Sequence, residues 1–238
     1  MHPTAMKNGE TFFATYSSFF KGNNKTVVEI GSQDVNGSLR QVCPDDFSYT
    51  GVDFEDAKGV DIVLEDPYKL PFEDESVDIV LSSSCFEHSE MFWLSFIEIL
   101  RILKPSGLFY LNAPSDGEVH KYPVDCWRFY PDSGQALITW ARRNGLNPKL
   151  LESYTQIGGN WHDYVAIFLK DSSHEEKFTN RILNHKKDFE NGSISYSKTV
   201  LNPKALSQNQ RKLRLRTLKG ILKILESSIR KRIKKIVK

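Results

Sequence analysis

Cysteine is scarce in this chain. Its 238 residues include three cysteines, Cys43, Cys85 and Cys126, and no two of them form a C-x-x-C pair. An odd number of widely spaced thiols supports neither a disulfide framework nor a zinc knuckle, so packing thiols in a reducing compartment are the simpler interpretation. No cluster of His and Asp residues has metal-ligand spacing either, and we therefore expect no metal site.

Long apolar runs are also absent. No stretch is long enough to cross a bilayer as a helix. Residues 1–4 lack the charged start and the apolar run of a signal peptide. Aromatic and β-branched residues are nevertheless frequent enough to fill one sizeable core, with room for one appendage. These features predict a globular, cytoplasmic protein.

A third absence concerns glycine. Residues 31–37 read GSQDVNG, which is not the G-x-G-x-x-G loop that cradles the pyrophosphate of a dinucleotide. The loop still begins with a glycine, which lets the backbone turn sharply and approach a ligand closely. The departure from the dinucleotide pattern favours a smaller and less anionic cofactor.

The distribution of apolar residues predicts an α/β fold. Residues 91–103 have helical periodicity, and a second helix begins at residues 131–133 and ends at 144–145. The segments that read as strands are 26–30, 48–53, 60–64, 76–82 and 108–112, followed by an antiparallel pair at 152–157 and 164–169. Strands that alternate with helices predict a mostly parallel sheet, whose ligands bind beyond the carboxyl ends of the strands.

Acidic residues at or beside those strand ends could bind an adenosine-like ligand. Asp53 lies 22 positions after Gly31, the usual separation for an acid that accepts from ribose hydroxyls. Glu29 could fix the loop or reach an amino-acid group. Asp66 follows the third strand and could accept from an adenine amine, although Glu65 beside it could do so instead. The alternative is that these are solvated loop acids.

Several ordered motifs resemble those of the class I S-adenosylmethionine-dependent methyltransferases, type 11 in particular. They are VEIGS at 28–32, NGS at 36–38, GVD at 51–53, LPF at 70–72, SVDIV at 76–80, FEH at 86–88 and LKPSG at 103–107. Any one motif is weak, but their order and spacing make the set specific. The resemblance covers residues 26–114 and, more loosely, the stretch to 169. One departure is Gln33, which stands where the family usually has its second loop glycine.

The resemblance implies a Rossmann-like fold, with a mostly parallel seven-stranded sheet and an antiparallel strand near its C-terminal edge. It also implies S-adenosylmethionine as the cofactor. The residues expected to contact this cofactor are Glu29, Gly31 and Ser32 at its methionine group, Asp53 at the ribose, Asp66 at the adenine, and Ser82 or Ser83 beneath it. In the pair Glu87-His88, the family's histidine usually packs and orients.

Residues 120–130 form one dense polar and aromatic segment, which should lie over the cofactor's methyl group. A hydroxyl acceptor would benefit from a general base, for which His120 and Asp125 are the candidate catalytic residues. The candidate substrate contacts are Tyr122, Trp127, Arg128 and, just before the last strand, His162. The alternative is a packed lid in which Asp125 pairs with Arg128.

The acceptor is inferred by association. Related methyltransferases with a similar His, Pro-x-Asp-x-Trp-Arg segment are associated with surface-glycan pathways, so the resemblance implies O-methylation of a saccharide or another small-molecule hydroxyl. Within enzymes, the alternatives are an N-methyltransferase and a lipid or quinone methyltransferase. Outside enzymes, they are a cofactor-binding scaffold without turnover and a nucleic-acid binder led by its tail.

The C-terminal tail, residues 211–238, has a composition unlike the rest of the chain. It holds twelve Lys or Arg residues and one acid, a net charge of +11 that leaves −9 for residues 1–210. Its apolar residues fall on one helical stripe, which predicts a basic amphipathic helix. Such a helix could hold the protein on the inner face of an anionic membrane or dock on a partner. Nucleic acid is less favoured, because no aromatic residue interleaves the charges.

Four segments are therefore expected. An aromatic lead-in helix (1–25) precedes the methyltransferase domain (26–170), which is followed by a helix and connector (171–210) and by the basic tail (211–238).

Removing residues 211–238 is expected to abolish co-sedimentation with anionic liposomes and to leave cofactor affinity unchanged. Each basic residue near an anionic surface contributes about 1 kcal/mol, so the loss should be complete. Neutral liposomes are the control. Binding to anionic liposomes that survives the deletion would contradict the membrane interpretation of the tail.

Overall fold

The computed structural model describes residues 2–158, 161–197, 199–204 and 217–222, and for Trp161 the backbone alone. The chain divides into two compact units, Met1–Pro203 and Lys204–Lys238. In the second unit, residues 217–222 are helical and exposed, and the rest of the predicted tail lies outside the described residues. None of the described helices is long and apolar enough to cross a membrane.

One sheet organises the described part of the first unit. Its strands are β1 (Lys25–Ile30), β2 (Phe47–Asp53), β3 (Ile62–Val63), β4 (Val77–Ser83), β5 (Leu103–Pro114), β6 (Lys149–Gly158), β7 (Trp161–Leu169) and β8 (Glu190–Ile194). The spatial order is β3-β2-β1-β4-β5-β7-β6-β8. The first five of these are parallel, β7 is antiparallel to both β5 and β6, and β8 is antiparallel to β6. The predicted fold class is confirmed, and β8 adds a strand to the seven expected.

The strand order reverses at β1, which has β2 on one side and β4 on the other. Ile30, the last residue of β1, pairs with Val52 of β2 and with Ser82 of β4. The carboxyl ends of the parallel strands therefore meet at one edge of the sheet, where the loops diverge around a crevice. Asp53 ends β2 and Ser83 ends β4, so both lie at this edge.

Helices cover both faces of the sheet. On one face, α2 (Phe92–Ile102) and α3 (Ser133–Arg143) contribute to a shared apolar core. On the other face lies α1 (Pro3–Tyr16), which buries Phe12, Phe13 and Tyr16.

The connection from β1 to β2 is unusual because it contains a 3-10 helix, Leu39–Val42, and no α-helix. A Cβ added to Gly9 of α1 would lie 2.3 Å from Leu39 Cδ2, so α1 packs directly on this turn. Parallel sheets need apolar cover on both faces. The aromatic helix α1 therefore covers the face above this short connection.

Residues 171–197 differ from the predicted helix and connector. They form two 3-10 helices, Ser172–Lys177 and Ile182–Asn184, and then add β8 to the sheet. Phe178 and Phe189 are buried against the same core as α1. The polar composition of this segment masked the few apolar positions that attach it to the sheet.

A buried carboxylate holds three parts of the fold together. Glu152 of β6 accepts hydrogen bonds from the backbone N–H groups of Ile182 and Leu183, at 2.8 and 2.9 Å. It also accepts one from the Tyr16 hydroxyl of α1, at 2.5 Å. Desolvation raises the pKa of Glu152, and these donors compensate the burial of its charge.

Replacing Glu152 with alanine should lower the free energy of unfolding by about 3 kcal/mol or more, because each buried donor left without an acceptor costs about 1–3 kcal/mol. Urea denaturation measures the change. Glu176→Ala, at an exposed position of the same region, is the matched control and should cost less than about 0.5 kcal/mol. Equal losses in the two variants would show that Glu152 is no anchor.

Candidate active site

The crevice at the carboxyl ends of β1 and β2 contains a cavity of about 460 Å³. A smaller space of about 130 Å³ adjoins it and shares Gly31, Asp53 and His88 with it. Ser83, Ser84 and Gln33 line only the smaller space of these two. We call the two together the strand-end cavity.

At Gly31 the backbone packs closely against the turn after β4. Its φ is +79°, in the left-handed region that favours glycine. A Cβ at this position would lie 2.5 Å from Cys85 Cβ and 2.6 Å from Cys85 Sγ. Burial raises the pKa of the Cys85 thiol to about 12, so this group stays neutral and acts in packing.

Asp53 is almost fully buried at the end of β2 and borders the strand-end cavity. Its Oδ1 accepts hydrogen bonds from Phe54 N at 2.7 Å, from Gln33 Nε2 at 3.2 Å and from Glu55 N at 3.4 Å. Desolvation raises the pKa of Asp53, and these donors oppose the rise. The carboxylate is thus fixed in orientation beside the cavity.

Gln33, the departure from the family pattern, connects two parts of the site. Its Nε2 donates to Asp53, and its Oε1 accepts a hydrogen bond from the Tyr122 hydroxyl at 3.0 Å. Tyr122 belongs to the segment 120–130, so a glycine at position 33 could not make this link. Gln33 therefore joins the loop after β1 to the segment 120–130.

The other predicted cofactor residues lie deeper. Glu29 is buried and accepts a hydrogen bond from Tyr49 at 2.7 Å, and desolvation raises its pKa to about 7. Ser32, Ser82 and Ser83 are buried, and their hydroxyls have no hydrogen-bond partner among the described residues. Of these four, Ser83 alone borders the cavity as defined above.

The two acids after β3, Glu65 and Asp66, lie in different surroundings. Asp66 is exposed and its Oδ1 accepts from Tyr68 N at 2.9 Å, which closes a local turn. Glu65 lines the strand-end cavity, and Asp66 lies instead in a separate surface depression. The cavity lining therefore favours the alternative, Glu65, because the turn directs the Asp66 carboxylate back to its own backbone.

A second, larger cavity of about 760 Å³ lies beside the first. We call it the α1 cavity, because residues of α1 form one wall and the segment 120–122 forms another. Its lining is mixed, with Pro3, Met6, Val35 and Pro114 among His2, Asn36, Glu87, His88, His120, Lys121 and Tyr122. His88 borders both the strand-end cavity and the α1 cavity, so it stands at their junction.

Asp125 and Arg128 are paired, which agrees with the packed-lid alternative. The Arg128 guanidinium donates to both carboxylate oxygens, at 2.5 and 2.8 Å, and His120 N donates to the same carboxylate at 2.7 Å. The Arg128 hydrogen bonds hold the pKa of Asp125 well below its usual range. Arg128 also donates to the carbonyls of Trp127 and Glu118, so both side chains are held by local partners; their roles as base and substrate contact stay predictions.

The remaining predicted residues divide into two groups. His120 and Tyr122 line the α1 cavity. Trp127 instead packs edge-on against Phe92 and Trp93 and donates to the Ser89 carbonyl, which fastens the segment to α2. His162 pairs with Asp116, outside both cavities as described. Neither Trp127 nor His162 lines these cavities, and their roles as substrate contacts stay predictions.

Two adjacent residues in the wall of the α1 cavity received no site role from the sequence. Glu87 is 1% exposed, and desolvation raises its pKa to about 8. Desolvation also lowers the pKa of His88, so its ring favours the neutral form. The FEH motif marked the positions of both residues, but nothing in the sequence placed His120 beside them.

Comparisons with known proteins agree with this geometry. A family model described as a methyltransferase domain matches residues 29–111. Phthiotriol/phenolphthiotriol dimycocerosates methyltransferase 1 from Mycobacterium ulcerans is 36% identical over 93 residues, which cover 33% of this chain and 33% of that relative. The match thus spans about a third of the length of this curated relative.

Solved structures share the fold at low identity. A Burkholderia thailandensis 1,6-didemethyltoxoflavin-N1-methyltransferase with S-adenosylhomocysteine bound has a TM-score of 0.53 and 14% identity, covering 71% of this chain and 79% of that one. The [4+2]-cyclase SpnF has a TM-score of 0.51 and 12% identity, covering 70% and 81%. The differing names of these two proteins show that the fold alone does not decide the reaction.

The fold is therefore that of the class I methyltransferases. Residues 29–111 match the methyltransferase-domain family, as the ordered motifs predicted.

Replacing Asp125 with alanine should loosen the segment 120–130. A hydrogen bond to a charged group contributes about 1.5–3 kcal/mol, so we expect trypsin cleavage after Lys121 to accelerate by roughly tenfold or more. Limited proteolysis followed by mass spectrometry measures the rate. Glu118→Ala, an exposed change in the same loop, is the control, and an unchanged cleavage rate in Asp125→Ala would contradict the anchoring role.

Proposed function

We propose that this protein transfers a methyl group from S-adenosylmethionine to a hydroxyl of a small molecule bound in the α1 cavity. The observation that carries the proposal is the junction of two cavities at His88 and Tyr122. One cavity lies over the strand ends of the methyltransferase domain. The other, mixed in polarity, opens beside it.

The residues of the strand-end cavity fit the cofactor. Gly31 permits a close approach of the backbone, Asp53 offers a fixed carboxylate for ribose hydroxyls, and Glu65 lies where it could accept from an adenine amine. The buried Ser83 hydroxyl, without a partner among the described residues, borders the same space. When bound, the cofactor supplies an electrophilic methyl group on a sulfonium.

The chain's own contribution is alignment and exclusion of water. Pro123 and Val124 close one side of the strand-end cavity, and Tyr122 stands between the two cavities. The Gln33–Tyr122 hydrogen bond holds residues 120–130, which we call the lid segment, over the crevice. Fixed geometry of this kind brings the acceptor atom in line with the methyl group and limits hydrolysis.

A hydroxyl acceptor, with a saccharide as the leading class, suits the α1 cavity. His2, Asn36, His120 and Lys121 provide hydrogen-bonding groups around the cavity, while Pro3, Met6 and Val35 provide apolar contacts. Of the two candidate bases, we favour His120, because the Asp125 carboxylate is already paired with Arg128.

A lipid hydroxyl is the second candidate acceptor. It is supported by the mycobacterial relative, a dimycocerosates methyltransferase, although the match covers a third of that protein. A screen of labelled methyl transfer to glycans and to lipid alcohols, with mass spectrometry of the products, discriminates between the two classes.

Asp53→Ala is expected to weaken the binding of S-adenosylmethionine by roughly 10- to 100-fold. Hydrogen bonds to a charged group contribute about 1.5–3 kcal/mol, and 1.4 kcal/mol is a factor of ten in affinity. Isothermal titration calorimetry measures the change. Asp66→Ala is the matched control and should bind almost as the unchanged protein does. Unchanged affinity in Asp53→Ala would remove this residue from the site.

A further inference from the structure

Three potential metal ligands meet in the wall of the α1 cavity. One ligand atom from each of Glu87, His88 and His120 lies within 4.8 Å of the others. Linear spacing did not predict this group, because His120 follows His88 by 32 positions and comes from a different loop. The tertiary fold alone brings the three side chains together.

Glu87 is the feature that points to a ligand. Its side chain is 1% exposed, and its Oε2 has no hydrogen-bond partner in the part of the chain that the structure describes. The Glu87 carbonyl accepts from the backbone N–H groups of Cys126 and Trp127, which fixes the residue against the lid segment. A buried carboxylate oxygen without a donor is costly, and a cation is one of the groups that compensates it.

His88 presents a nitrogen suited to a metal. Its Nδ1 is hydrogen-bonded to the Val124 carbonyl, which can only accept, so Nδ1 carries the proton. The lone pair is then on Nε2, which lies 3.8 Å from Glu87 Oε1. A histidine ligand typically donates its other ring N–H to a carbonyl in this way, which fixes its tautomer and orientation.

His120 brings the third ligand from the lid. Its imidazole meets that of His88 edge to face, with ring centroids 5.0 Å apart. Its backbone N–H donates to the Asp125 carboxylate, which Arg128 in turn holds, so the position of His120 is fixed by the paired charges.

We propose that Glu87, His88 and His120 bind a divalent transition-metal ion whose open coordination positions face the α1 cavity. Two imidazoles and one carboxylate suit zinc, iron, cobalt or nickel better than magnesium or calcium, which prefer oxygen ligands. Ligands about 2.0–2.2 Å from zinc are at most about 4.4 Å apart, so small side-chain rotations close the site.

The site gives the acceptor a defined place, and this consequence rests on the proposed methyl transfer. A hydroxyl oxygen in the α1 cavity would take an open position on the ion and release its proton to solvent. Its electron pair would form the new O–CH3 bond as the S–CH3 bond of the sulfonium breaks, and S-adenosylhomocysteine would leave as a neutral thioether. With His120 as a ligand, the ion would replace the general base that the sequence predicted at this position.

The test is calorimetric titration of zinc into the tag-free, chelator-treated full-length protein, with the absorption spectrum of bound cobalt as a second readout. We expect one equivalent of zinc to bind. Glu87→Gln and His120→Asn should each weaken it by at least about tenfold, because each removes a ligand. His174→Ala, at an exposed histidine far along the chain, is the control and should bind zinc normally.

Thermal melting of each variant without metal checks that it folds. If Glu87→Gln fails this check, His120→Asn decides, because its side chain is 41% exposed and its loss should not unfold the protein. Absence of zinc binding, or binding unaffected by the decisive variant, overturns the proposal. Cofactor titration of the same samples separates the two hypotheses. If the protein binds the cofactor but not zinc, only the metal site is overturned. If it binds zinc but not the cofactor, only the methyltransferase function is overturned.

Discussion

The close contact between Gly31 and Cys85 is the constraint around which the site is arranged. It joins the end of β1 to the turn after β4, at the place where the strand order reverses. A side chain at position 31 would separate these two elements, because its Cβ would overlap the Cys85 side chain. The crevice, its strand-end carboxylate and the turn that carries Glu87 and His88 all take their positions from this contact.

Three buried glutamates differ in the number of hydrogen-bond donors that their carboxylates receive. Glu152 receives three donors and acts as a structural anchor. Glu29 receives one donor, Tyr49, and its pKa rises to about 7. Glu87 keeps one oxygen without a donor among the described residues, and its pKa rises to about 8. Glu87 thus has the fewest hydrogen-bond donors for its buried charge, and it lies in the wall of the α1 cavity. A bound ligand could stabilise the carboxylate there.

The lid segment combines a rigid half and a half that faces the cavities. Asp125, Arg128 and Trp127 fasten it to the rest of the domain through a salt bridge, carbonyl contacts and aromatic packing. This leaves His120 and Tyr122 in fixed positions above the two cavities. Asp125, Arg128 and Trp127 therefore support the neighbouring residues of the lid segment. A short loop needs such internal partners before it can hold any side chain precisely enough for binding.

The sequence by itself determined the α/β class, the parallel strands, the glycine turn and the position of Asp53 at the end of a strand, because each depends on local patterns of apolar residues and on fixed spacing. It could not place side chains that meet across long separations. The pairing of Asp125 with Arg128 was one of two alternatives in the sequence, and the structure decided between them. The attachment of residues 171–197 through Glu152 joins residues about 30 positions apart, so tertiary contacts decided it. They also decided the meeting of Glu87, His88 and His120, because only the packing of the lid on the turn after β4 brings ligands from two loops to one point.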